Sequence, residues 1–526
     1  MNKIKQKKVK IIYPFLFGFF PVLFLYSYNI EEVAFNVIFV PLLFDLLFIF
    51  LIWLVAKLVL KNGLRAGLVT FLVSFMFFSF GHFQNFLKSL LPKKMEIPAG
   101  FLVLFWILLF GLLVFLAIRT RKDLGPLTSL LNVFVIFLMI FSLIQISWSH
   151  LSSLQTPKLD SQIPESLKEM PGSKIEKDKL PDIYYLIFDR YGNEYSLKEY
   201  YDFDNSDFLN FLANKNFYVA SNSRCNYPGT PLSLASSLNL DYVNDLVEKG
   251  SIKKRIIYHL LQDFKVWRLL KSIGYRYIHI GSWYEPTKVN KYADLNFRGV
   301  GVLGLSQDFI LKFSETTALA PLSKLKNVSY NHPQSVLKQF NYLAQIPKRQ
   351  GPKFVFLHML MPHHPFVFSQ NGELLTKKEL ATHSQEESYI NQLIFTNKKI
   401  EELVNALLNQ SRNPPIIILQ SDEGPAEEEK PLGKLLTFSK RRRAIANLRI
   451  RCRILNAYYL PGVDRSVLYE SISPVNTFRL IFNLYFGTNF ELRGDRTYHA
   501  VGDKVSIRKF NLIPQSYWSP KMENSS

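Results

Sequence analysis

Cysteine is nearly absent. Cys225 and Cys452 are the only two in 526 residues, which excludes a disulfide-rich scaffold and leaves one bridge, between these two, as the most the chain can form. With 24 Gly, 27 Pro and 48% hydrophobic residues, the chain is neither collagenous nor disordered. It has no internal repeat and no low-complexity tract. Acidic residues are scarce at one end: residues 1–150 hold 14 Lys/Arg but only 5 Asp/Glu, against 49 and 37 in the remainder. Those first 150 residues consist largely of apolar runs of about 20 residues, long enough to cross a bilayer at about 1.5 Å rise per residue. A wholly cytosolic enzyme is thereby excluded. The net charge of +21 is spread along the chain, and much of it flanks the apolar runs, which disfavours a nucleic-acid binder.

Five spans are expected, near Ile11–Tyr28, Phe39–Leu60, Ala66–Phe83, Ala99–Ile118 and Leu127–Ser147. Lys3, Lys5, Lys7, Lys8 and Lys10 precede the first, Lys57, Lys61 and Arg65 lie at the end of the second, and Arg119, Arg121 and Lys122 follow the fourth. The positive-inside rule places these groups in the cytoplasm, so everything after about residue 150 is expected outside it. Glu31 and Glu32 fit the first external loop, whereas Lys88, Lys93 and Lys94 in the second do not. No small-residue cleavage site follows the first run, which favours an uncleaved anchor. Asp45 is the one acid inside a span, and with no second buried acid to form a relay its plain role is hydrogen bonding within the bundle.

Residues 1–150 thus form an all-α bundle of five transmembrane helices, 151–180 a Pro/Ser/Lys/Glu-rich extracytoplasmic linker, and 181–526 an outer domain. In the outer domain the short apolar runs Asp182–Asp189, Arg276–Gly281, Lys353–Met359 and Pro415–Ser421 look like buried strands. Helical periodicity covers Ser251–Ser272, Pro333–Ile346 and Glu386–Gln410. Strand and helix in alternation predict an α/β fold with a mainly parallel sheet flanked by helices. In such a sheet the ligand site lies beyond the carboxyl ends of the strands. Those ends carry Asp189, Ser421-Asp422-Glu423-Gly424, and His358 ahead of Met361-Pro-His-His-Pro365.

Asp189, Asp422 and Glu423 are hard oxygen donors suited to a divalent cation that activates phosphate or sulfate oxygen. A lone acid at a strand end is as often a turn or cap residue. Thr230 precedes Pro231, a helix-start signal that sets the hydroxyl at a helix N-terminus, where N–H groups and the dipole favour phosphate. Capping alone would also explain it. A hydroxyl touching a metal held by the two aspartates would be a competent nucleophile.

Pro181-Asp-Ile-Tyr-Tyr-Leu-Ile-Phe-Asp189, the Thr230 helix start, Phe356-Leu-His358 with Pro362-His-His-Pro365, Leu419-Gln-Ser-Asp-Glu-Gly-Pro425 and Leu455-Asn-Ala-Tyr-Tyr-Leu-Pro-Gly462 occur in that order. Together they resemble the sulfatase-like branch of the alkaline phosphatase superfamily. The layout is similar to lipoteichoic acid synthases and phosphoethanolamine transferases. The resemblance implies an integral protein of the bacterial cytoplasmic membrane that moves a phosphoglycerol- or phosphoethanolamine-type group from a phospholipid donor to an envelope glycan or lipid acceptor. It implies that Asp189, Asp422 and Glu423 ligate metal, that Thr230 is the nucleophile, and that His358 and His363 or His364 bind substrate oxygens or assist the leaving group. Asp422-Glu423-Gly424 stands where the family commonly has Asp-His-Gly; losing that nitrogen favours Mg²⁺ or Mn²⁺, with Zn²⁺ and Ca²⁺ as alternatives. Cys225 lacks the Cys-x-Pro-x-Arg context of formylglycine sulfatases, so phosphoryl-type transfer is expected over sulfate ester hydrolysis.

Other features have plainer readings. Lys440, Arg441, Arg442, Arg443, Arg449, Arg451 and Arg453, some way after the acidic run Glu427–Glu429, are expected on a solvated face, with anionic headgroup binding as the alternative. His279 and Trp283 either line the site or pack in the core, and His499 is a distant candidate for the missing nitrogen ligand. The rival functions are an inactive glycan- or lipid-binding module, supported by Glu423, a sulfuric or phosphoric ester hydrolase, and a transporter, supported only by the spans and Asp45.

Overall fold

The computed structural model describes residues 9–30, 35–90, 99–154, 180–246, 252–297, 307–323, 332–426, 430, 435, 438–502 and 506–518. Most of the expected linker, Lys3, Lys5, Lys7, Lys8, Glu31, Glu32, Lys93, Lys94 and Glu427–Glu429 lie outside those residues. The chain divides into two compact units, Met1–Thr156 with Gly301–Val328, and Pro157–Val300 with Ser329–Ser526.

The first unit is helical: α1 (Tyr13–Phe17), α2 (Phe20–Asn29), α3 (Phe39–Leu60), α4 (Gly63–Leu90), α5 (Ala99–Arg119) and α6 (Gly125–Leu154). Among the described residues four stretches, Phe39–Leu60, Gly63–Leu87, Gly100–Arg119 and Gly125–Trp148, are long and apolar enough to cross a membrane. The first expected span differs. It is shorter and broken into α1 and α2 at Gly18–Phe19, because Pro21 has no N–H to donate and its ring crowds the preceding turn. Asp45 is buried within this unit. The linear division of the sequence also did not include a returning segment. The helix Gln307–Thr316 packs in this unit, with Phe313 against Phe78 at 5.8 Å between rings and the Ala318 N–H donating to the Phe77 carbonyl at 2.7 Å. Gly81 makes room for it, since a Cβ there would lie 1.9 Å from the Glu315 carbonyl oxygen.

The second unit is a three-layer α/β structure. Its seven-stranded sheet has the order β2-β8-β7-β1-β6-β4-β5, from β1 (Ile183–Phe188), β2 (Tyr218–Val219), β4 (Arg276–Ile280), β5 (Leu295–Phe297), β6 (Lys353–Met359), β7 (Ile416–Gln420) and β8 (Asn456–Tyr459). β7, β1, β6, β4 and β5 are parallel; β8 pairs antiparallel to both β7 and β2. A separate sheet joins β3 (Ile252–Lys253), β10 (Ser506–Leu512) and β9 (Tyr498–Gly502). The four expected strands are present, while Ser251–Ser272 resolves into β3 and the two helices Lys254–Gln262 and Lys265–Ser272.

Alternation explains the layers. Ile183, Tyr185 and Ile187 of β1 join one apolar cluster and Tyr184, Leu186 and Phe188 the other; Phe354 and Phe356 against Val355 and Leu357 divide β6 the same way. A strand apolar on both faces must be covered on both. α7 (Thr230–Leu238) and α10 (Pro474–Phe486) cover the first face. α8 (Gln385–Gln410), started by a Ser384/Glu387 capping box, and α9 (Lys440–Cys452) cover the second.

At the end of the sheet away from the rim, Lys353 Nζ sits 2.8 Å from Asp182 Oδ2, and the Lys353 N–H donates to Asp182 Oδ1 at 3.1 Å. Both side chains are largely buried. Removing one member of a buried pair strands the other, at about 3 kcal/mol or more. Lys353→Ala is therefore predicted to lower the stability of the detergent-solubilised full-length protein by about that amount. Chemical denaturation checks it, and the double change Lys353→Met with Asp182→Leu is predicted to recover most of the loss.

Candidate active site

Three neighbouring strands build the rim. Ile187 pairs with His358 of β6 on one side and with Gln420 of β7 on the other, and the Asp189 N–H donates to the Met359 carbonyl at 2.9 Å. Asp189, His358 and Asp422 are brought together in this way. One ligand atom from each lies within 4.8 Å of the other two, and all three residues are buried. His358 Nε2 is 3.9 Å from Asp189 Oδ2. Asp189 Oδ1, His358 Nε2 and both Asp422 carboxylate oxygens have no hydrogen-bond partner among the described residues.

Burial, reinforced by the negative charges of Asp189 and Glu423, pushes Asp422 well above the usual carboxylate range; the nearby Thr230 hydroxyl and Arg190 oppose the shift. Burial pushes His358 down to about 4, against the pull of Asp189 and with help from His363, so its imidazole is neutral at pH 7. Two buried carboxylates and a neutral imidazole converging in this way form a donor set that fits a divalent cation. The sequence placed His358 among substrate contacts; here it is grouped with the two aspartates.

Glu423 is elsewhere. Its carboxylate lies 3.2 Å from Arg190 Nη2 and 2.7 Å from Arg451 Nη2, and Arg190 Nε is also 3.7 Å from Asp189 Oδ1, so Arg190 stands between Glu423 and the three-residue group. Glu423 was expected beside Asp189 and Asp422; among the described residues the third member of that group is His358. The backbone explains the divergence. Arg190 has φ +70°, reversing the chain directly after Asp189, and a Cβ on Gly424 would lie 2.1 Å from the Ile450 carbonyl oxygen, so the chain is pressed against α9 just after Glu423.

Thr230 opens α7, but the residue before the helix is Gly229 and no side chain caps it. Thr230 is therefore not spent on capping and faces Asp422. Ser233, one turn on, donates to the Asp422 carbonyl at 2.7 Å and ties α7 to the rim. His363 Nε2 is 4.0 Å from Asp189 Oδ2, and its ring stacks on His364 at 4.5 Å and meets Trp283 edge-on at 6.4 Å. His279 is a packed histidine: its Nε2–H donates to the Thr287 carbonyl at 2.8 Å and its Nδ1 faces Tyr277 Oη at 3.1 Å. His499 lies exposed on β9, paired with Asn511, and is not in the group. Thr287 was not singled out from the sequence, and no motif marks it; its Oγ1 is 2.8 Å from His358 Nδ1.

The basic run was expected on a solvated face, but its second half turns inward. Arg449 Nε donates to the Tyr517 carbonyl and Arg453 Nη2 to the Trp518 carbonyl, both side chains being buried, and Arg451 holds Glu423. Lys440 and Arg442 are the members exposed among those described. Cys225 and Cys452 are neighbours with free thiols, the Cys225 N–H donating to the Cys452 carbonyl at 2.8 Å.

His279 carries a pH prediction. Burial lowers it from 6.5 to about 4, so its contribution to stability is complete above pH 6.5 and is lost as the pH falls toward 4. The full-length protein is predicted to lose about 3 kcal/mol over that window from this residue. Denaturation midpoints measured across it test the point, and His279→Asn is predicted to make the descent shallower.

Residues 189–465 match the sulfatase family. No curated protein matches the sequence. Among solved structures, the C-terminal periplasmic domain of EcEptC from Escherichia coli is 14% identical over 64% of this chain and 93% of its own, with a TM-score of 0.41. Lipooligosaccharide phosphoethanolamine transferase A from Neisseria meningitidis is 12% identical over 90% of this chain and 93% of its own, with a TM-score of 0.38. The C-terminal periplasmic domain of phosphoethanolamine transferase EptC from Campylobacter jejuni is 13% identical over 60% and 92%, with a TM-score of 0.36.

Proposed function

The chain belongs to the sulfatase family, and we propose that it transfers or hydrolyses a phosphorylated group with Thr230 as nucleophile, at a divalent metal site formed by Asp189, His358 and Asp422. The observation that carries this reading is the convergence of buried Asp189, His358 and Asp422, one ligand atom of each within 4.8 Å of the others and Asp189 Oδ1 and His358 Nε2 without hydrogen-bond partners among the described residues, beside the helix-start hydroxyl of Thr230, which faces Asp422.

A bound divalent cation would offset phosphate charge and lower the pKa of a coordinated hydroxyl. The chain's own groups do the rest. The first N–H groups of α7 and its dipole favour an anionic phosphoryl group next to Thr230. Thr230 Oγ attacks phosphorus in line; the Oγ–P bond forms as the bond from phosphorus to the leaving alcohol breaks, and the proton of the hydroxyl, made more acidic by the cation that Asp189, His358 and Asp422 would hold, is released to solvent. His363, beside Asp189, delivers a proton to the departing oxygen, and His364 holds a non-bridging oxygen. An acceptor hydroxyl, from water or from an envelope glycan or lipid, then attacks the phospho-threonine and regenerates Thr230.

Two observations favour phosphoryl over sulfate transfer. The residue at the helix start is a threonine, and Cys225 is fully buried against Cys452, out of reach of a substrate. Because His358 supplies a nitrogen, the preference drawn from the loss of Asp-His-Gly changes, and Mn²⁺ and Zn²⁺ rank ahead of Mg²⁺ for this donor set. Four helices able to cross a membrane suit a phospholipid donor, which such an enzyme meets in the bilayer. The basic groups at Lys10, Lys57, Lys61, Arg65 and Arg119 support a cytoplasmic N-terminus and an extracytoplasmic catalytic domain.

The test is turnover of a chromogenic phosphodiester and of the matching sulfate ester by purified full-length protein across Mg²⁺, Mn²⁺ and Zn²⁺. Metal-dependent cleavage of the phosphodiester is predicted to fall at least about 10³-fold in Thr230→Ala and Asp422→Asn. Phospho-threonine at position 230 is the predicted intermediate by mass spectrometry. Cleavage that survives Thr230→Ala refutes the nucleophile. Absence of both turnover and metal binding in the wild type would instead support the binding-module reading.

A further inference from the structure

We infer that Thr287 is a positioning residue for His358: its hydroxyl accepts the Nδ1–H and so turns an unprotonated Nε2 toward Asp189 and Asp422. The inference rests on the proposed role of His358 as a metal donor and adds the residue that makes it one.

Thr287 Oγ1 lies 2.8 Å from His358 Nδ1, and both residues are buried. A neutral imidazole carries one N–H, and the nitrogen without it is the one able to donate a lone pair. Nε2 has no hydrogen-bond partner among the described residues and points into the group of carboxylates. A protonated Nε2 there would place an N–H where a cation has to sit. The proton therefore belongs on Nδ1, with Thr287 as acceptor, and the Thr287 hydroxyl hydrogen is directed to the Tyr284 carbonyl at 3.4 Å or to Ser282 Oγ at 3.2 Å.

Thr287 is itself held on several sides. Its carbonyl accepts from His279 Nε2–H at 2.8 Å, and because a carbonyl only accepts, the neutral His279 must receive at Nδ1 from the Tyr277 hydroxyl. The segment Glu285–Lys288 is pressed against the end of β4, where a Cβ on Gly281 would lie 1.8 Å from the Lys288 carbonyl oxygen. From the other direction Gln339 Nε2 donates to the His358 and Gly281 carbonyls at 3.2 and 3.1 Å, fixing the backbone from which the imidazole projects. A buried chain from Tyr277 through His279 and Thr287 thus ends on the ring nitrogen that sets the tautomer. Hydrogen bonds of this kind to a ligating imidazole commonly change metal affinity 10–100-fold.

The experiment is competitive chelator titration of Mn²⁺ and Zn²⁺ into full-length protein in detergent. Thr287→Val keeps the shape and removes the hydroxyl; it is predicted to weaken binding about 10–100-fold. Thr287→Ser keeps the hydroxyl and is predicted to bind within about threefold of wild type, a difference of well under 1 kcal/mol. Equal binding by Thr287→Val and wild type overturns the inference, and so does equal loss in both variants, which would make Thr287 a packing residue. Wild type that binds neither ion, or His358→Ala that binds as wild type does, overturns the metal-site reading itself. A measurement independent of any variant is ¹⁵N-histidine NMR of the metal-free wild type: His358 is predicted as the Nδ1–H tautomer, and an Nε2–H tautomer contradicts the inference.

Discussion

Two aspartates and an imidazole, buried together at adjacent strand ends with Asp189 Oδ1 and His358 Nε2 lacking a hydrogen-bond partner among the described residues, are the constraint around which the rim of the sheet is arranged. Removing carboxylates from water without a partner is costly, and placing two together adds repulsion. A proton shared between them, or a cation, relieves both costs. The fold secures the arrangement through backbone contacts: parallel pairing of β1 with β6 and β7 fixes the register, the Asp189 N–H is tied to the Met359 carbonyl, and Ser233 ties α7 to the Asp422 carbonyl. The site is thus held open by the same ladder that builds the core.

Glu423 shows how a third nearby acid is accommodated. Added to the group, it would bring a third negative charge into the same space. Arg190 and Arg451 instead draw its carboxylate away, one from the reversed turn after Asp189 and the other from the end of α9. The basic helix that reads as a solvated surface accordingly has an internal purpose. Arg451 neutralises Glu423, while Arg449 and Arg453 bind the carbonyls of Tyr517 and Trp518. A buried carboxylate with two guanidiniums is stable as a unit and sensitive to loss of any member.

Much of this was legible because the relevant signals are local. β1, β6 and β7 are apolar on both faces and end in Asp or His, so the strands and Asp189, His358 and Asp422 at their tips follow from pattern alone. Thr230 follows from the proline after it. What was not legible depends on contacts between distant residues. Whether His358 or Glu423 joins the aspartates is decided by inter-strand register and by the conformation of Arg190, neither of which has a sequence signature. Thr287 lies 71 residues from His358 in the chain and meets it only through the fold. The antiparallel β8 and the helix Gln307–Thr316 in the helical unit reflect tertiary pairing in the same way. The break between α1 and α2 was readable from Pro21 and was masked by the apolar run around it.

The proposed mechanism requires that Asp189, His358 and Asp422 hold one divalent cation in common. Anomalous scattering at the manganese edge, from crystals of the full-length protein grown with Mn²⁺, tests it most directly. A single strong peak is expected within coordination distance of all three side chains, with Glu423 still on Arg190 and Arg451. A peak on Glu423, or no peak at the three-residue group while the protein remains folded, would contradict it.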